Sequence, residues 1–264
     1  MANSGAFRRI LATFACVGTC LSAPAWAQAE EPSDAENSLI DQDAFDALDR
    51  MAEYLQTLTS FQVKSDVTTE VVLEGGQKIQ FGGTLDLKVH RPDAFKVVAA
   101  SDTRIREMYY DGKLFTIYAP VLGYYADFPA PQTIGLTLDK ARTEYDIEVP
   151  LADLFTWGTD QTIRARIQEA LIIRPEQIGN RTCMHYAFRQ EKVDWQLWLE
   201  ESDTPLPCKI IITSRVDPAM PQYTAVLHWD TAANIPASTL AFAAPETAKR
   251  ITIAEAAEQK GDDQ

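Results

Sequence analysis

Residues 60–90 read SFQVKSDVTTEVVLEGGQKIQFGGTLDLKVH, and their periodicity decides the fold. Phe61, Val63, Val67, Val71 and Leu73 alternate with Gln62, Lys64, Asp66, Thr68 and Glu70. After the turn signal Glu74-Gly75-Gly76-Gln77, the residues Ile79, Phe81, Leu85, Leu87 and Val89 alternate with Lys78, Gln80, Thr84, Asp86 and Lys88. Successive side chains of a strand point to opposite faces. A period of two with a single apolar set therefore predicts a long hairpin with one face to bury and one in water. Arg91-Pro92-Asp93 ends it.

On the N-terminal side the period changes. Phe45, Leu48, Ala52, Leu55 and Leu58 recur at three- and four-residue spacing, opposite Asp46, Asp49, Arg50 and Glu53. This predicts an amphipathic helix over about 43–58, capped by Asp41 or Asp43. On the C-terminal side, strands are expected at 95–100, 104–110, 114–118 and 123–128, with Asp111-Gly112 as a tight turn. The texture then turns helical at 133–145, 150–155 and 159–170, with Pro150 suited to a first helical position. Strands return at 171–174, 182–190, 193–200, 208–215 and 222–230, and a short one near 248–253 closes the set.

About ten strands with one apolar face each cannot stay flat, because twist accumulates in wide sheets. The pattern predicts a mainly β (α+β) fold, a strongly curled antiparallel sheet forming a half-open barrel with helices covering its concave face. Helices rarely fill such a hollow, and the space left is the default ligand site. Face parity and position assign the pocket to Phe45, Leu48, Leu55, Phe81, Leu85, Leu154, Phe155, Trp157, Trp195 and Leu197.

The N-terminus sets the compartment. Arg8-Arg9, the apolar stretch Ile10–Leu21 and Ala25-Trp26-Ala27 are the three parts of a secretory signal peptide cut near Ala27. The apolar run falls short of the ~20 residues that span a bilayer. Loss of residues 1–27 removes two arginines and no acid, moving the formal charge from −14 to −16. Such a charge repels nucleic acid and anionic head groups. The expected organisation is a signal peptide (1–27), a disordered acidic leader (28–40), a single β domain (41–253) with its helical insert at about 133–170, and an acidic tail (254–264).

Cys16 and Cys20 leave with the signal peptide, so Cys183 and Cys208 remain. Parity places Cys183 opposite Met184, Tyr186 and Phe188, and places Cys208 with Ile210 and Ile212 on the core face. A strand is also expected between them, so two free thiols are predicted rather than a disulfide. His90, His185 and His228 fall on polar strand faces with no ligand-like spacing and read as surface residues. The chain lacks Gly-x-Ser-x-Gly, His-Glu-x-x-His and phosphate-binding glycine loops. No catalytic residue, metal or cofactor is therefore expected. Trp195 reads as core or pocket lining. Trp198, on the other face, is either covered by a loop or an exposed partner contact.

Several segments together resemble a known family. They are Asp111-Gly112-Lys113, Gly123-Tyr124-Tyr125, the run from Pro150 to Gly158 (PLADLFTWG), Asp194-Trp195-Gln196-Leu197-Trp198 and Pro205-Leu206-Pro207. The combination resembles an uncharacterised bacterial family of predicted periplasmic proteins, the domain of unknown function numbered 2092, over residues 40 to 253. That family is similar to the LolA/LolB lipoprotein-carrier superfamily. The strand pair holding Trp198-Leu199-Glu200 and Leu206-Pro207-Cys208-Lys209 is similar to one in the carriers. The resemblance implies a curled half-barrel that takes acyl chains under a helical lid. The buried arginine tied to ligand release in the carriers has Arg104, Arg106 and Arg142 as unassigned candidates.

These readings favour a periplasmic, non-catalytic binding or carrier protein for a lipid, acyl chain or lipoprotein. The alternatives are an envelope structural or protein-interaction module without a small ligand, and a hydrolase with an unrecognised site. The expected partners are a hydrophobic ligand or acylated molecule and a membrane-associated protein. Nucleic acid is not expected, and the expected state is a monomer.

Overall fold

The computed structural model of the chain describes residues 39–152, 154 and 164–256. The signal peptide, most of the leader, Phe155, Trp157, residues 153, 155 and 159–163 of the expected helices and the end of the tail lie outside the described residues, and residues 150–152, expected to start a helix at Pro150, form a turn with Leu151 at a positive φ of 59°.

The first described helix is α1 (Gln42–Thr57), whose first turn is capped by Asp41, its carboxylate accepting from Asp43 N at 3.0 Å. The helix buries Ala44, Phe45, Ala47, Leu48, Met51, Ala52 and Leu55, the stripe that three- and four-residue spacing draws on one side. There follow β1 (Ser60–Val72), β2 (Lys78–His90), β3 (Ala94–Ala100), β4 (Ile105–Tyr110), β5 (Leu114–Ala119) and β6 (Tyr124–Pro129). Next come α2 (Ile134–Tyr145), β7 (Glu169–Ile178), β8 (Arg181–Arg189), β9 (Val193–Glu200), β10 (Pro207–Ser214) and β11 (Gln222–Asp230). A one-turn α3 (Ala237–Leu240) and β12 (Lys249–Arg250) complete the described elements.

All twelve strands lie in one sheet in the order β12-β6-β5-β4-β3-β2-β1-β11-β10-β9-β8-β7. Pairing between the strands is antiparallel apart from β12 on β6, and β7 and β12 are the outermost described strands, so the sheet is open; at the start of β7 Ile40 makes a parallel bridge to Ala170. The β1–β11 ladder, from Gln62↔Asp230 to Thr69↔Tyr223, joins the halves of the chain. Inward residues of both halves, among them Val63, Leu87, Val97, Phe115, Phe188 and Leu227, form one cluster with the buried stripe of α1. The fold is thus the expected mainly antiparallel sheet with helices on one face.

The α2 helix is fixed at its start by Thr133, whose Oγ1 accepts from Leu136 N, and by Thr137, whose Oγ1 donates to Pro131 O at 3.2 Å. Tyr145 at its end stacks on Phe128 with ring centres 4.2 Å apart. Among the described residues no helix is long and apolar enough to cross a membrane.

Four expectations need correction. First, β7 runs from Glu169 to Ile178, so Glu169 and Ala170 are strand and not helix. The strand continues past the expected end at Arg174 through Pro175, because β7 is an edge strand, where a missing N–H is tolerated.

Second, Cys183 and Cys208 form a disulfide with Cα atoms 6.6 Å apart. Strict alternation fails at a β-bulge: Pro207 faces Leu199 while Lys209 faces Trp198, leaving Cys208 as the extra residue of β10. The bulge turns Cys208 to the outer side, where Cys183 and Trp198 are buried with it.

Third, His185 is not a surface residue. Its side chain is 12% exposed, its ring stacks on Trp198 at 4.0 Å, and its Nε2 meets Gln196 Oε1 at 3.0 Å. Trp198 is buried too, with Lys209 Nζ 4.5 Å from its ring centre and its Nε1–H donating to Glu176 at 3.0 Å.

Fourth, Phe81 is not interior. β3 pairs with β2 only between Thr84 and His90, so the β1–β2 hairpin projects beyond its neighbour and leaves Phe81 56% exposed. Gly83 lies where β3 ends, and a Cβ there would meet Ala100 O at 2.8 Å, which is why glycine occupies it.

Candidate ligand-binding cavity

Between α1 and the inner face of β9 and β10 lies a cavity of about 280 Å³. Met51 lines it from α1, Val193, Trp195 and Leu197 from β9, and Pro207, Ile210 and Ile212 from β10, with Leu154, Arg166 and Gln190 completing the lining. Eight of these ten residues are apolar. On β9 the contributors are alternate residues, as a strand with one inward face requires. On β10 the bulge interrupts the alternation, so Pro207 and Ile210 both face inward although three positions apart.

The walls are held from behind. Trp195 stacks on Phe188 at 4.0 Å with planes 16° apart, and Trp229 Nε1–H donates to Pro207 O at 2.8 Å. The segment carrying Arg166 is fastened on both sides. Arg164 pairs with Asp49 of α1 and lies 4.5 Å from the Phe45 ring centre, while Ile167 is buried in the core. Leu154 is tied to the sheet by Arg91, whose Nη2 donates to Leu154 O at 3.5 Å and whose guanidinium pKa is lowered by burial. Arg104, Arg106 and Arg142, the candidates for a buried arginine, are all exposed, whereas Arg91 is half-buried.

Of the residues assigned to the pocket from sequence, Leu154, Trp195 and Leu197 come together in this lining. Phe45, Leu48, Leu55 and Leu85 are buried in the surrounding core without lining the cavity. Phe81 is on the projecting hairpin, and Phe155 and Trp157 lie outside the described residues. Met51, Val193, Ile210 and Ile212 were absent from the sequence assignment although all four share the apolar faces that it used. Pro207 and Arg166 carried no signal, since one depends on a bulge and the other on the return of the insert.

Two other hollows, of about 210 and 420 Å³, border Asp127 and the C-terminal segment and include the Asp127–Arg250 pair or one member of it. In the smaller one Phe242 packs against Tyr109 and Tyr125 at 5.3 and 5.1 Å, so an aromatic side chain of the protein itself already occupies that surface. Among the described residues no group of three or more His, Cys, Asp or Glu is placed to hold a metal.

An open antiparallel sheet, helices on one face and an apolar cavity between them define the class. The chain belongs to the family described as predicted periplasmic protein (DUF2092), whose model matches residues 44–254. No protein of curated function matches the sequence. Among solved structures, the chain is similar to an uncharacterized conserved protein from Thermus thermophilus, with 11% identity, 80% of this chain and 99% of that one covered, and a TM-score of 0.46. It is similar to the lipoprotein LppX of Mycobacterium tuberculosis at 11% identity, covering 74% of this chain and 100% of that one, with a TM-score of 0.46. A LolA superfamily protein from Nitrosomonas europaea is similar at 11% identity, with 75% and 97% covered and a TM-score of 0.37.

Proposed function

We propose that the chain is a periplasmic, non-catalytic binding or carrier protein for a hydrophobic ligand, a lipid or acyl chain, held under Met51. The observation that carries this reading is the apolar cavity bounded by α1, β9 and β10. Burying apolar surface there gains about 25 cal/mol per Å², and no covalent step is required. Its volume of about 280 Å³ lies just under the span of roughly 300–1,000 Å³ typical of ligand pockets. Displacement of α1 opens the site, because that helix contributes one wall.

A second reading, an envelope protein-interaction module, draws support from the β1–β2 hairpin, where Val71, Leu73 and Phe81 are exposed together. The two readings separate in one experiment. Titration with a terminally brominated decanol quenches Trp195 fluorescence if the chain enters the cavity, and the quenching is lost in Trp195→Phe. Equal quenching in the native protein and the variant contradicts the cavity reading and favours the interaction module.

A further inference from the structure

β2 spans Lys78–His90, yet β3 pairs with it only between Thr84 and His90. Residues 78–83 therefore pair with β1 on one side and with no described strand on the other. The ladder with β1 fixes which backbone groups are left over. At its two ends Arg91 N donates to Thr59 O at 2.8 Å and Leu73 N donates to Gln77 O at 2.9 Å, so the odd-numbered residues of β2 are those bonded to β1. Lys78, Gln80 and Gly82 consequently turn their N–H and C=O groups to the open side.

Edges avoid pairing with other chains by being short, by carrying charge or by carrying proline. The outermost strands use these devices, since β7 contains Pro175 and β12 consists of Lys249 and Arg250 alone. Residues 78–83 lack them. Their one charge, Lys78, is drawn across to Glu70 of β1 at 3.0 Å. A Cβ on Gly82 would meet nothing within 4 Å, and Phe81 is 56% exposed.

The stretch is also complementary to itself. With a two-fold axis through Gln80, normal to the sheet, Gln80 faces Gln80 of a second copy and Lys78 faces Gly82 on either side. Every outward N–H and C=O of Lys78, Gln80 and Gly82 then has a partner. Moving the axis to Phe81 would set Lys78 against Thr84, which β3 already holds through Ala100. The Gln80 register also places Ile79 opposite Phe81 twice on one face, and aromatic on β-branched is a favourable cross-strand pair. No acid lies in the stretch, so like charges are not opposed there although the chain carries a formal charge of −14.

We propose that residues 78–83 are a docking edge for a second copy of this chain, the two β2 strands pairing antiparallel about Gln80. None of these residues lines the cavity, so the proposal does not depend on the lipid reading.

Sedimentation equilibrium of the purified protein tests it. The native chain distributes between monomer and dimer with concentration, and the dimer tightens as salt screens the repulsion between anionic copies. Gln80→Pro removes the N–H on the axis, which β1 does not use, and so spares the hairpin. It weakens dimerisation by roughly tenfold or more, while Tm and the quenching of Trp195 by brominated decanol stay at native values. Gln80→Cys reads the same register without proline. Residues opposite each other in a hydrogen-bonded pair have Cα atoms about 5.5 Å apart, within disulfide reach, so mild oxidation gives a covalent dimer. Lys64→Cys, on an exposed position of a strand paired on both sides, does not cross-link. A native chain that stays monomeric at every concentration and salt overturns the proposal. So does a dimer that Gln80→Pro leaves as tight, or a Gln80→Cys thiol that cross-links no faster than Lys64→Cys. None of these outcomes bears on the lipid reading, which rests on the quenching of Trp195.

Discussion

Cys208 is joined to Cys183 on the outer side of the sheet, while its neighbour Pro207 lines the cavity on the inner side. One extra residue in β10 serves both ends, since the bulge that sends the thiol outward also keeps Pro207 and Ile210 facing in. The covalent bond therefore anchors a wall of the candidate site from behind.

Removing the bond should weaken the domain measurably. The cysteines are 25 residues apart, and closing a loop of that length stabilises by about 3.5 kcal/mol. For a domain of this size that corresponds to roughly 7–14 °C. Calorimetry of a Cys183→Ser/Cys208→Ser double variant, or of native protein with and without reductant, is expected to show this fall in Tm. A change below about 2 °C contradicts a stabilising role at the roughly 2–4 °C per kcal/mol of such a domain.

Met51 has two roles that mutation can separate. It is 1% exposed, so Met51→Ala should cost about 2–4 kcal/mol in chemical denaturation. Ile210, which is only partly buried and lines the hollow, behaves differently. Ile210→Phe is expected to occupy the space, reduce binding of decanol-sized ligands at least tenfold, and change stability by less than about 1.5 kcal/mol. Unaltered binding in Ile210→Phe places the ligand elsewhere.

Glu176 should register in acid. The hydrogen bond from Trp198 Nε1–H, reinforced by Arg174, holds its carboxyl below the ordinary value of 4.5. A depressed carboxylate contributes stability that is complete above its unfolded value and is lost as pH falls through the folded one. Stability measured between neutral pH and the acid side of 4.5 should therefore fall less steeply in Glu176→Gln than in native protein. Identical slopes contradict the contribution.

Phe81 offers a contrast with the cavity residues. Being exposed on the projecting hairpin, it should accept Phe81→Ser with stability changed by no more than about 0.5 kcal/mol and with ligand binding intact. Light scattering reports the converse effect, a lower tendency of the variant to associate, because an exposed apolar patch has been reduced.

Alternation alone made the hairpin, the one-faced sheet and the buried stripe of α1 legible, since a period of two or of three to four shows directly which side meets the core. It could not show how far a neighbouring strand extends, and that is why Phe81 read as interior although β3 stops opposite Thr84. Nor could it show the bulge at Cys208, which reverses the face of a single residue without a mark in composition. His185 and Trp198 read as outward, and they are, but the disulfide, Lys209 and Glu176 close over that patch from separate strands. Leu154, Trp195 and Leu197 were found for the cavity because two lie on one strand face and one in the apolar run of the insert. Arg166 was missed because its position depends on Arg164 and Ile167 meeting α1 and the core.

The central claim is that the space under Met51 is a ligand site. Native mass spectrometry of protein purified from the periplasm, followed by organic extraction, tests it most directly. The account predicts a discrete bound mass of lipid size that Ile210→Phe no longer retains. A clean ligand-free mass, unchanged after incubation with medium-chain acids, alcohols and phospholipids, contradicts it.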